Sequence, residues 1–190
     1  MPDAALPDSE AAVFERRDLD TGAPASRGKL ARLSRLTSLA LLWASGAGLV
    51  VITLIILWQV FARYVLNASP SWSEQLALYV LVWIVLLAAA AGVREGFHIR
   101  ITAAQDALPG AARRIALIAS HGVTGLIGAF LAAYGTMLVA RLWGYDIPAI
   151  GLPRGSAFLP LPVAGALISL FSVEHIVAIR RGEKVPPAWR

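Results

Sequence analysis

Between the two terminal segments, the side chains able to do chemistry beside apolar helices are three histidines and five carboxylates. They are His98, His121 and His175, with Glu74, Glu95, Asp106, Asp146 and Glu174. Paired histidines between membrane helices can ligate haem, and an embedded carboxylate can carry a proton across a small exporter. The spacing favours neither use. His98 and His175 fall at the charged boundaries of apolar stretches. His121 lies about one and a half turns inside one, among Ser120, Gly122 and Thr124, a setting for a packed and satisfied ring. All five carboxylates sit at the ends of apolar stretches, so no acid is placed to bind a proton midway. The sequence has no phosphate loop, catalytic triad or metal-ligand cluster. Zero cysteines exclude a disulfide framework, thiolate metal sites and dithiol redox chemistry.

The elements that position these residues are apolar helices. The chain is 57% hydrophobic and 15% charged, whereas a soluble domain carries about a quarter charged residues. Four uncharged stretches are long enough to cross a bilayer, with expected spans at residues 36–62, 75–93, 115–140 and 155–173. The fold expected is an all-α integral membrane protein of four transmembrane helices, with an interfacial connector after the second. Residues 1–35 read as a polar tail with a basic end, 36–180 as the membrane domain and 181–190 as a second tail. The acidic start and long first apolar stretch are wrong for a cleavable signal peptide.

The second span carries a polar device at each end. Ser71-Trp72-Ser73-Glu74 reads as a capping box, with Ser71 as N-cap and Glu74 at the third helical position. Capping alone accounts for Glu74; contact with a partner protein is the competing use of Trp72 and Glu74. Arg63 and Tyr64, closing the first span, are placed to pair with Glu74 or to anchor in the headgroups. Arg94-Glu95-Gly96, followed by His98 and Arg100, closes the second span. Arg94, His98 and Arg100 are expected as interfacial anchors or partner contacts. Residues 94–114 space Ile99, Ile101, Ala104 and Leu108 as a helix lying in the interface would, and Pro109-Gly110 breaks it. Gly122, Gly125, Gly128, Ala132 and Gly135 offer the third span close helix packing. Pro160 and Pro162 imply a late start to the fourth span after an irregular 150–161 entry, or a kink. Asn67-Ala68-Ser69 reads as a turn.

Lys and Arg number 14 in the two tails and the second loop, against 3 in the first and third loops. The positive-inside rule then places both termini and the connector in the cytoplasm. The net charge of +5 flanks the spans and forms no continuous basic face, so no nucleic-acid partner is expected.

An ordered pattern runs from Arg63 to Ile101: Arg-Tyr closing one span, an Asn-containing turn, Trp-Ser-Glu opening the next, and a Val-Arg-Glu-Gly-x-His-Ile-Arg exit. It resembles the DctQ-like small membrane subunit of tripartite ATP-independent periplasmic (TRAP) transporters. Ala-Ile-Gly-Leu-Pro and Leu159-Pro160-Leu161-Pro162 are similar to the family's approach to its last helix. Gln75 departs from the second acid often found there, and Arg154 from an apolar residue. The resemblance covers about residues 36–180. It implies a multi-pass protein of the bacterial inner membrane that binds no cofactor and catalyses no reaction. Its implied partners are membrane lipid, a large permease subunit and a periplasmic solute-binding protein. Its implied role is a scaffold, bracing the large subunit during ion-coupled uptake of a solute, with an organic acid as the expected cargo. The competing reading is a small haem-binding membrane redox subunit.

Overall fold

The computed structural model describes residues 29–68, 70–96 and 110–182. They form α1 (Lys29–Tyr64), α2 (Ser71–Glu95), α3 (Gly110–Leu142), strands β1 (Asp146–Ile147) and β2 (Leu152–Pro153), α4 (Arg154–Phe158) and α5 (Pro160–Arg181). Four helical stretches are long and apolar enough to span a membrane, the last running from Arg154 to Arg181 through α4 and α5. Each helix outruns the uncharged stretch that predicted it, because a helix can continue into the headgroup layer. At 36 residues, α1 is roughly 54 Å long, so it tilts or projects beyond the hydrocarbon. The interfacial connector falls mainly on 97–109, outside the described residues.

The spans pack as a row: α1 against α2, α2 against α5, and α5 against α3. Between Trp43 and Tyr64, the only residues of α1 that its neighbours cover are Ser45, Gly48, Ile52, Ile55, Gln59 and Ala62. With Ser34, Ser38 and Leu41 before them, they alternate steps of four and three residues, the period of a left-handed two-helix seam. The remaining large side chains of this half of α1 are exposed, among them Trp43, Leu54, Leu57 and Trp58. So α1 is an outer helix attached along one edge. The seam is made close by small residues: a Cβ on Gly48 would lie 2.5 Å from Ile84 Cγ1.

The α3–α5 contact is closer still. A Cβ on Gly128 would lie 2.8 Å from the Gly165 carbonyl oxygen, and one on Gly165 2.5 Å from the Ala132 nitrogen. The Ser169 hydroxyl lies 3.0 Å from the carbonyl oxygens of both Gly125 and Gly165, tying the helices where they are nearest. The expected small-residue face of the third span is therefore real at Gly125, Gly128, Ala132 and Gly135. Gly122 is not part of it, since nothing lies within 4 Å of a Cβ there.

The approach to the last span is more ordered than the sequence implied. Asp146–Ile147 and Leu152–Pro153 pair antiparallel, Asp146 opposite Pro153 and Ile147 opposite Leu152. Gly151, at φ 65°, supplies the left-handed residue of the turn and donates its N–H to Ile147 O at 2.8 Å. Helical structure begins at Arg154 and resumes at Pro160, rather than starting late. Pro160 and Pro162 stand in the first turn of α5, where the missing N–H groups have no intrahelical acceptor to lose.

Because its Cβ would meet backbone atoms, Gly165→Ala should part α3 from α5, costing about 1–3 kcal/mol as overpacking does. Gly122→Ala should cost nothing. Thermal unfolding of the two variants in the same detergent checks this; equal midpoints would contradict the packing.

Candidate functional site

The polar groups that the sequence scatters over four span ends converge on one buried cluster. Arg94 and Glu95 form the last turn of α2, which Gly96 closes in the left-handed region at φ 72°. Arg94 is 2% exposed, and its Nη1 lies 3.1 Å from Glu95 Oε1. Adjacent helical side chains ordinarily diverge; here the length of the arginine lets it fold back on its neighbour. A carboxylate at a helix C-terminus faces the negative end of the dipole. The guanidinium offsets that, and so does a hydrogen bond donated by the Ser38 hydroxyl of α1.

The other spans complete the cluster. His175 of α5 places Nε2 3.0 Å from the Arg94 carbonyl oxygen. A ring N–H donating there satisfies one of the carbonyls that a helix end leaves open. His121 of α3 stacks on His175 with centroids 4.5 Å apart and planes 2° from parallel. On α1, the Ser34 hydroxyl donates to Glu174 Oε1 at 2.8 Å. Arg94 Nε and Glu174 Oε2 are buried without a protein partner.

This arrangement fastens helices. Its groups hold one another at one end of the bundle, and none lies at mid-span. Two imidazoles stacked face to face at 4.5 Å leave no room for a macrocycle between them, so the geometry gives the haem reading no support. Among the described residues, no three His, Cys, Asp or Glu side chains are grouped to hold a metal ion.

Two sequence expectations need correction. Arg94 is not an interfacial anchor: Glu95 beside it and His175 on its carbonyl draw it inside. The capping box does not form either. Helix α2 starts at Ser71, its N-cap is Pro70 at φ −71° and ψ 120°, and no side chain caps it. The serine at work is the fully buried Ser73, whose hydroxyl donates to the Pro70 carbonyl oxygen at 2.8 Å. Ser71, Trp72 and Glu74 are exposed, and Glu74 contributes only a favourable charge to the first turn. Arg63 and Tyr64 are exposed at the end of α1. His98 and Arg100 lie outside the described residues. Sequence reasoning overlooked Ser34 and Ser38; the available signal was their alignment, at seam spacing, with Leu41, Ser45 and Gly48.

Removing one partner of a buried ion pair strands the other charge, at about 3–5 kcal/mol. Glu95→Ala should therefore destabilise strongly, while Arg94→Met with Glu95→Leu should lose much less. Unfolding midpoints of the purified chain check this, and a double variant as unstable as the single one would contradict it.

Residues 52–182 match the family described as tripartite ATP-independent periplasmic transporters, DctQ component. The match begins within the α1 seam and runs to the end of α5. The chain is similar to the sialic acid TRAP transporter small permease protein SiaQ of Vibrio cholerae, 28% identical over 124 residues, covering 64% of this chain and 70% of that protein. A putative TRAP transporter small permease protein of Haemophilus influenzae is 25% identical over 140 residues, covering 71% and 86%. The ectoine TRAP transporter small permease protein TeaB of Halomonas elongata is 30% identical over 113 residues, covering 58% of each chain. With four membrane-length helices tied by one polar cluster, the chain belongs to the DctQ family and is a multi-pass small membrane subunit of a TRAP transporter.

Proposed function

We propose that this subunit is a static brace for a large permease subunit, which carries out ion-coupled uptake of a solute delivered by a periplasmic binding protein. The observation that carries this reading is the shared cluster: every span contributes a side chain to it, while no charged residue stands near the centre of a span to bind ion or cargo. Four helices locked at one end make a frame against which a moving domain can work. The exposed apolar sides of α1 and α3 provide area for lipid and for the large subunit. Trp72 and Glu74, freed from the capping role, are candidate contacts at the opposite end, with Arg63 and Tyr64 nearby in sequence.

The cargo proposed is an organic acid, in line with relatives named for sialic acid and for C4-dicarboxylate. Its ligands would lie on the other chains. The 14-to-3 division of basic residues supports cytoplasmic termini, which puts the cluster at the cytoplasmic end. A periplasm-active reporter should then be silent after Arg190 and active in the 141–154 loop; the reverse pattern would refute this orientation.

In liposomes with an imposed sodium gradient, the chain alone should move no organic acid. Adding the large subunit and the binding protein should produce uptake. Robust uptake by this chain alone would overturn the brace.

A further inference from the structure

We propose that the joined end of α3 and α5 is a binding site for the headgroup of an anionic phospholipid. This inference does not depend on the transport reading. The two helices run antiparallel, so the start of α3 and the end of α5 share one level. Arg114 Nη2 donates to the Arg180 carbonyl oxygen at 2.8 Å, which fixes that level. Four arginines stand at that level, Arg113 and Arg114 on α3 and Arg180 and Arg181 on α5, and all four are exposed.

Among the described residues, the two carboxylates of this end, Glu95 and Glu174, are engaged inside the bundle. Glu95 is engaged by Arg94 and Ser38, and Glu174 by Ser34. Arg32 and Arg35 of α1 are exposed at the same end, adding to the positive field. The opposite end is mixed, with Arg63, Arg141 and Arg154 beside exposed Glu74 and Asp146.

Depth and polarity select a lipid over a free anion. Arg113 and Arg114 directly precede the uncharged stretch that begins at Ile115, and Arg180 and Arg181 close α5, positions that suit the headgroup layer. On α5, exposed Leu170, Val173 and Val177 follow one another at helical spacing and lead to Arg180 and Arg181. An acyl chain along that stripe would carry its phosphate to the arginines. Basic clusters between helix ends at the membrane surface recognise anionic headgroups in this way.

The test uses the full chain in uncharged detergent, with phosphatidylglycerol, phosphatidylcholine or inorganic phosphate added, read by thermal unfolding and by native mass spectrometry of bound lipid. Phosphatidylglycerol should raise the midpoint and stay bound; phosphatidylcholine and phosphate should do neither. Arg180→Gln with Arg181→Gln should weaken phosphatidylglycerol binding roughly tenfold or more, while Arg141→Gln, at the other end, should bind as the parent does. Should the double variant fold poorly, Arg181→Gln alone should still bind less phosphatidylglycerol than the parent. Equal binding by parent and Arg180/Arg181 variants would overturn the site. Stabilisation by phosphate or phosphatidylcholine equal to that by phosphatidylglycerol would overturn the assignment to an anionic lipid.

Discussion

The buried Arg94–Glu95 pair at the end of α2 is the contact on which the rest of the bundle depends. Two charges removed from water are costly unless their donors and acceptors, and the open carbonyls of the helix end that carries them, find partners. Most of these partners come from the other spans, though Arg94 Nε has none. Ser38 comes from α1 to Glu95, and His175 from α5 to the Arg94 carbonyl. His121 follows from α3 by stacking on His175. Inside a bilayer, lipid tails offer no hydrophobic reason for helices to associate, so close backbone packing and interhelical hydrogen bonds must do that work. This chain uses both, the polar knot at one end and the glycine contacts of α3 and α5 along the length.

The row arrangement follows from how the contacts are distributed. Helices α2 and α5 each pack against two other spans, and both supply charged or imidazole groups to the knot. Helix α1 has one neighbour over most of its length and reaches the knot through two serines, Ser34 and Ser38. A layer one helix deep exposes apolar surface out of proportion to its size, which suits the proposed brace. Rigidity in such a layer comes from cross-ties, because there is little enclosed core. Only Leu41, Ala90, Ala91, Val93, Ala164, Ile168 and Phe171 make up the buried apolar cluster among the described residues. Leu41, Ala90, Ala91 and Val93 lie toward the same end of their helices as the knot, while Ala164 and Ile168 stand in the first half of α5.

Much of this was legible in the sequence because the membrane imposes simple rules. Four long uncharged stretches can only be helices in lipid, and the ordered motif from Arg63 onward carried the family. The glycine face of α3 was visible, though not its partner, since periodicity shows which side of a helix is small and not what meets it. The polar details were misread for a local reason. Ser71 to Glu74 satisfy a capping pattern, but Pro70 already occupies the cap position and Ser73, three residues on, is the serine turned inward. Arg94 looked like a boundary arginine because sequence position gives depth and not direction. Ser34 and Ser38 were unremarkable in a helix that also carries Thr37, Ser45, Thr53 and Gln59; their role appears only when Glu95 and Glu174 are placed opposite them. The β-hairpin was hidden because strands of two residues leave no alternation to read.

The central claim is that this subunit keeps its shape while the large permease subunit moves. Spin labels at Ala44 of α1 and Leu126 of α3, the two outer helices, give a distance across the whole row. Measured by pulsed electron resonance in the assembled transporter, that distance should be the same without cargo, with cargo-loaded binding protein, and under a sodium gradient. A label pair spanning the large subunit's moving domain should change over the same conditions. A distance between Ala44 and Leu126 that shifts with the transport state would contradict the account, because a frame that deforms with its load is not a brace.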